Sequence, residues 1–167
     1  MYKYIFDLDN TLVFTDDLNN EAYNYALKFL GKERISDVKR ITREIVFSKY
    51  NLTKSEKKDL VKLKQAYFAD NINKINKNED LLNLILELGP AECILWTKAD
   101  ECRVNAILEY LNLNDAFSWV LYSKKTDTEK DIEKICRHFK CAESQLKFYE
   151  DNIKICNKLK NHNVAVV

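Results

Sequence analysis

The chain has 167 residues, 46% hydrophobic and 32% charged, with 27 basic against 26 acidic residues and a formal net charge of +1. That length supports one well-buried core with a small appended lobe, and the near-neutral balance excludes an overall field drawing the protein to nucleic acid or an acidic membrane. No stretch approaches the ~20 consecutive apolar residues of a membrane span, since even Leu81 to Leu88 is interrupted by Asn83 and Glu87.

The first element is a strand. Tyr2-Lys3-Tyr4-Ile5-Phe6 is aromatic and β-branched, and it stops at Phe6 because Asp7-Leu8-Asp9-Asn10 is poor strand material. With a strand and a candidate catalytic loop starting at residue 2, no room is left for a signal peptide, and a cytoplasmic protein is expected. Asp7 and Asp9 lie where open α/β sheets place their ligands. One such carboxylate can attack phosphorus while its neighbour handles the leaving-group proton. The same spacing also occurs in ordinary turns and in calcium loops, so two acids do not settle the matter.

A helical tract follows. Leu18, Ala22, Tyr25, Ala26 and Phe29 recur at helical spacing, with Gly31 placed as a C-cap. Ser36 is placed to cap a second helix carrying Val38, Ile41 and Ile45. Thr53 and Glu56 form a capping box opening a third, with Leu60, Leu63 and Tyr67 in phase. Lys57, Lys58, Lys62 and Lys64 read as a solvated helix face, the alternative being a surface that attracts phosphorylated substrate. Tyr23, Tyr25, Tyr67 and Phe68 read as packing residues rather than a base-stacking platform. A fourth helix, Glu79 to Leu88, ends at Gly89-Pro90.

From there strands and helices alternate. Glu92 to Trp96, Trp119 to Tyr122, Leu146 to Tyr149 and Val164 to Val167 read as strands. Val104, Ile107, Leu108 and Leu111, then Ile132, Ile135, Cys136 and Phe139, mark the inner faces of helices, and a short helix spans Ile153 to Leu159. The pattern predicts an α/β protein: a Rossmann-like three-layer core with a parallel sheet of about five strands and right-handed crossovers. Residues 1–13 and 79–167 form that core, and 14–78 is an inserted all-helical lobe. The five cysteines (Cys93, Cys102, Cys136, Cys141, Cys156) are odd in number and lack a C-x-x-C pair, so reduced thiols are expected. With His138 and His162 the only histidines, any metal should be a hard cation on oxygen ligands.

The run Phe6-Asp7-Leu8-Asp9-Asn10-Thr11-Leu12-Val13 resembles the first motif of the haloacid dehalogenase superfamily, hydrophobic-D-x-D-x-T-L/V. A helical insertion directly after it is similar to the small-cap branch, which includes phosphoglycolate phosphatases and β-phosphoglucomutases. The resemblance implies that Asp7 becomes a phospho-aspartate, while Asp9 protonates the leaving alkoxide and then activates water. By the same resemblance Thr97 is the second-motif hydroxyl that binds phosphate, with Lys98 beside it. Asp151 is the favoured fourth-motif metal ligand and Glu150 a second candidate. Mg²⁺ would then sit among Asp7, the Asp9 carbonyl, Asp151 and a phosphate oxygen. The family's lysine has three candidates. The phase of Ile132, Ile135, Cys136 and Phe139 turns Lys130 away from the buried face, and a capping box of Thr126 and Glu129 would place it inside the helix. Lys125 is therefore preferred, then Lys130, then Lys124.

The chain departs from the family in carrying Glu150 where a glycine is common, and Lys154 and Ile155 where a further acid is common. Thr11 is read as structural, its hydroxyl tying down the loop. What the resemblance implies is a Mg²⁺-dependent phosphohydrolase acting on a small phosphorylated metabolite; a monomer or weak dimer is expected, and the near-neutral charge and the lack of a long apolar run predict no nucleic-acid or membrane partner. A carboxylate at Asp9 argues against dehalogenation, which needs no general acid. A phosphomutase fits the same motifs, as does a non-catalytic binding member, although a binding module has no need of Asp7, Asp9, Thr97 and Asp151 together.

Overall fold

The computed structural model describes residues 1–167. By internal contacts the chain divides into two compact units, Met1–Val13 with Lys77–Val167, and Phe14–Asn76.

The first unit holds a sheet of five strands, β1 (Lys3–Phe6), β4 (Cys93–Thr97), β5 (Trp119–Tyr122), β6 (Leu146–Tyr149) and β7 (Ala165–Val166). Their order across the sheet is β5-β4-β1-β6-β7. All four pairings are parallel. Parallel neighbours need crossovers, supplied by α4 (Glu79–Leu88), α5 (Glu101–Tyr110), α6 (Thr128–Phe139) and α7 (Ile153–Leu159). Because the strand order reverses direction across β1, right-handed crossovers put α4 and α5 on one face and α6 and α7 on the other. Ile132 and Ile135 of α6 and Ile155 and Leu159 of α7 pack on Ile5, Ile94, Trp96, Leu121 and Phe148 of the sheet. Burying each such side chain contributes roughly 1.5–3 kcal/mol. α4 stops at Gly89, whose φ of +78° suits glycine, and Pro90 opens the turn into β4.

The second unit is built on α1 (Asp16–Phe29), α2 (Arg43–Lys49) and α3 (Lys54–Asp70), with α1 packed along α3. α1 ends in a Schellman turn: Gly31 takes φ +67°, its N–H reaches Lys28 O at 3.0 Å, and Lys32 N–H reaches Leu27 O at 2.9 Å. The Thr53–Glu56 capping box opens α3. Two tiny strands absent from the sequence reading, β2 (Val13–Phe14) and β3 (Asn76–Lys77), pair where the chain passes from one unit to the other and back.

Three expectations fail in this unit. The buried stripe of α1 runs through Leu18, Ala22, Tyr23, Ala26 and Leu27, while Tyr25 and Phe29 are exposed, Tyr25 stacking on Tyr67. No helix starts at Ser36. That segment is held irregular by asparagines of α1: Asn24 bonds both the N–H and the C=O of Ile35, Asn20 bonds Ile41 N–H and Lys39 O, and Asn19 bonds Ile41 O. These side chains meet the backbone demands that a helix would otherwise satisfy, and α2 starts only at Thr42, which caps Ile45. Lys64 is not solvated. It occupies the buried face of α3 between Leu60 and Phe68, with its ammonium 5.3 Å from the ring centroids of Tyr23 and Phe68.

Candidate active site

The register places three strand ends side by side. Phe6 pairs with Leu95 on one side and with Tyr149 on the other. Asp7 therefore leaves β1 between Thr97, the last residue of β4, and Glu150, the first beyond β6. The chain leaves β1 toward β4 and leaves β6 toward β7, so this crevice is the topological switch point at which open sheets bind ligands.

The loop after β1 is folded tightly. Asp7 N–H extends the ladder to Tyr149 O at 2.9 Å, and Leu12 and Val13 return to Leu8 O at 3.0 and 3.1 Å. Leu8 and Leu12 are buried, and Asn10 takes φ +65°, a conformation asparagine tolerates. The Thr11 hydroxyl, expected to tie this loop, is buried with no hydrogen-bond partner. Asn78 does the tying: its Nδ2 donates to Thr11 O at 3.1 Å and its N–H to Leu12 O at 2.9 Å.

Of the three candidate lysines, Lys125 is the one brought to Asp7. Its Nζ lies 2.5 Å from Asp7 Oδ1, 2.6 Å from Glu150 Oε2 and 4.2 Å from the Trp96 ring centroid. Lys125 is 3% exposed and takes φ +55°. Lys124 and Lys130 are exposed, and Lys130 pairs with Asp127 at 3.1 Å. The cap of α6 is Asp127, which accepts from Lys130 N–H, rather than the expected box of Thr126 and Glu129.

Glu150 is buried, and its Oε1 accepts from Asn152 N–H at 3.0 Å. Asp151 is exposed. Thr97, 1% exposed, accepts the Ala99 N–H on Oγ1 at 3.1 Å, while Lys98 beside it is exposed and outside this cluster. Asp9 is ion-paired with Arg103 of α5. Arg103 belongs to none of the motifs in the sequence. Its only signal is a cation in the first turn of a helix, where the dipole disfavours positive charge.

Burial pushes the Asp7 carboxyl up to about 7, against the lowering pull of Lys125, and the charges of Glu150 and Asp9 add to the rise. One oxygen each from Asp7, Glu150 and Asp151 lies within 4.8 Å of the others. Three carboxylates against one ammonium leave excess negative charge in a confined place. An all-oxygen set of this kind fits a hard divalent cation.

A parallel α/β sheet with acid groups gathered at its switch point defines an open α/β core with a candidate ligand site at its strand ends. The family profile for haloacid dehalogenase-like hydrolases matches residues 4–167, and the chain belongs to that family. Solved structures agree in fold. A predicted phosphoglycolate phosphatase from Haemophilus somnus superposes with a TM-score of 0.77 at 20% identity, covering 99% of this chain and 84% of that one. A candidate β-phosphoglucomutase from Thermotoga maritima gives 0.75 at 18%, covering 99% and 84%. A haloacid dehalogenase-like hydrolase from Streptococcus pneumoniae gives 0.71 at 19%, covering 99% and 83%. No curated protein sequence matches the chain.

Proposed function

We propose that the protein is a Mg²⁺-dependent phosphomonoester hydrolase acting on a small phosphorylated metabolite through a phospho-aspartate at Asp7. The observation that carries this reading is the convergence, at one switch point, of buried Asp7, an ammonium 2.5 Å from it and the carboxylates of Glu150 and Asp151. With Oδ1 held by Lys125, Asp7 has Oδ2 for in-line attack on phosphorus. Asp9, once it carries a proton in place of its ion pair with Arg103, gives that proton to the leaving alkoxide, then takes one from the water that hydrolyses the acyl phosphate. Thr97, its oxygen already accepting from Ala99, has its hydroxyl hydrogen for a phosphate oxygen. Glu150, engaged on both oxygens, steadies Lys125. Asp7, the Asp9 carbonyl and Asp151 would hold Mg²⁺, which when bound neutralises charge between a dianionic ester and an anionic nucleophile. The helical unit Phe14–Asn76 is read as the cap that selects the substrate.

A screen of phosphorylated metabolites with Mg²⁺ tests the reading, and release of inorganic phosphate from none of them overturns it. Return of the phosphoryl group to a sugar hydroxyl instead of water would assign the mutase. Asp9→Asn should slow turnover of an aryl phosphate by at least ~10²-fold, the scale of losing a general acid. Turnover at the wild-type rate would remove Asp9 from the mechanism.

EDTA should silence the enzyme, with Mg²⁺ restoring it better than Ca²⁺, whose coordination shell is larger and looser. Asp151→Ala should sharply raise the Mg²⁺ concentration needed. Protons compete for the same oxygens, because burial pushes the Asp7 carboxyl up to about 7. The half-saturating Mg²⁺ concentration should therefore rise as pH falls through that value and be lowest above it. A flat profile, or full activity in EDTA, would take the cation out of the proposal.

A further inference from the structure

We infer that Asp131 is a positioning residue for Lys125, acting through Trp96 and Ser123; the inference rests on the reading of Lys125 as the lysine of the proposed phosphoryl-transfer site. Asp131 lies on α6, six residues after Lys125, and is 4% exposed beside the apolar cluster of Ile94, Trp96 and Ile132. Its Oδ2 accepts the Trp96 Nε1–H at 3.1 Å and also the Ser123 hydroxyl. Its Oδ1 lies 3.5 Å from Lys134 Nζ.

The two groups that Asp131 Oδ2 holds both touch Lys125. Ser123 Oγ accepts the Lys125 backbone N–H at 2.9 Å, at the residue where the chain turns to φ +55°. The Trp96 ring lies 4.2 Å from the Lys125 ammonium, on whose other contacts sit Asp7 and Glu150. One carboxylate thus fixes the lysine at both ends, its amide through a serine and its charge through an indole face. Packing alone does not ask for an acid here. An apolar side chain of similar volume would fill this face of α6 without a buried charge. An indole is well suited to the job, since its face attracts a cation while its N–H can be anchored from the edge.

The rival explanation is structural: Asp131 merely satisfies the buried Trp96 N–H. Steady-state kinetics on an aryl phosphate with Mg²⁺ separate the two. Asp131→Ala should lower kcat by about tenfold or more while leaving KM within about twofold, because the lysine is misplaced rather than lost. Asp131→Asn can keep an acceptor oxygen toward Trp96 and Ser123, and should recover kcat to within about threefold. In a Lys125→Ala background, Asp131→Ala should cost nothing further. Wild-type kcat in folded Asp131→Ala, absence of rescue by Asp131→Asn, or an undiminished further loss in the Lys125→Ala background each overturns the inference. Should Asp131→Ala fail to fold, Ser123→Ala carries the same test: a kcat loss that vanishes in the Lys125→Ala background supports it, and wild-type kcat overturns it. If Lys125→Ala alone keeps full activity, the reading of the site falls and the inference with it. An inactive Lys125→Ala beside a fully active Asp131→Ala sinks the inference alone.

Discussion

Asp7→Asn should abolish hydrolysis of an aryl phosphate while leaving the far-UV spectrum and melting transition unchanged. The amide is isosteric with the carboxylate but carries no charge and cannot attack phosphorus. The expected loss is at least ~10⁴-fold, on the order found when a covalent nucleophile is removed. The fold should survive, because Lys125 is not orphaned by the change. Its ammonium keeps Glu150 at 2.6 Å and the Trp96 ring, so no buried charge is left without a counterpart. The substitution also removes a carboxyl that burial holds up at about 7, so no loss of stability is expected from desolvation. Phosphatase activity near the wild-type level in folded Asp7→Asn would place the nucleophile elsewhere.

The sheet was legible because its signals are local. Each strand is a short apolar run, each crossover has its own periodic face, and the bounds of β5 and β6 agree with the sequence reading residue for residue. The segment before α2 was less legible because its outcome depends on partners elsewhere. Asn19, Asn20 and Asn24 look like ordinary polar positions of α1 until their amides are found bonding the backbone around Ile35 and Ile41. Lys64 was misread by residue type. Its spacing from Leu60 and Phe68, four residues each way, already put it on the inner face of α3.

The site divides along the same line. Asp7, Thr97 and Asp151 sit at or next to strand ends, where a strand pattern followed by a polar residue announces them. Arg103 and Asp131 sit inside helices, and their meaning comes from partners 94 and 35 residues away, Asp9 and Trp96. No spacing rule connects such pairs. Only the parallel register brings the ends of β1, β4 and β6 together, and with them the helices that follow.

Lys125→Ala should lower kcat/KM by on the order of 10²–10³-fold, the scale of deleting a preorganised electrostatic group, whereas Lys130→Ala should stay within about twofold, as exposed substitutions do. Lys130 is the nearer to helix α6 and the easier to choose by eye, but its ammonium is exposed and holds only Asp127. The helix phase already turned it outward, and the observed cap at Asp127 makes it the third residue of the helix. Lys125 precedes that cap, in a left-handed conformation. Such a backbone in a lysine costs about 1–3 kcal/mol and persists only where its surroundings fix it, here the Ser123 hydroxyl on its amide and two carboxylates on its ammonium. Removing the side chain leaves Asp7 and Glu150 facing each other without a counter-charge. Added Mg²⁺ should then recover the variant's stability better than its turnover, since a cation can balance the carboxylates but cannot take the lysine's place against phosphate. Equal kinetic losses for the two lysine variants would mean that the ammonium beside Asp7 serves folding alone.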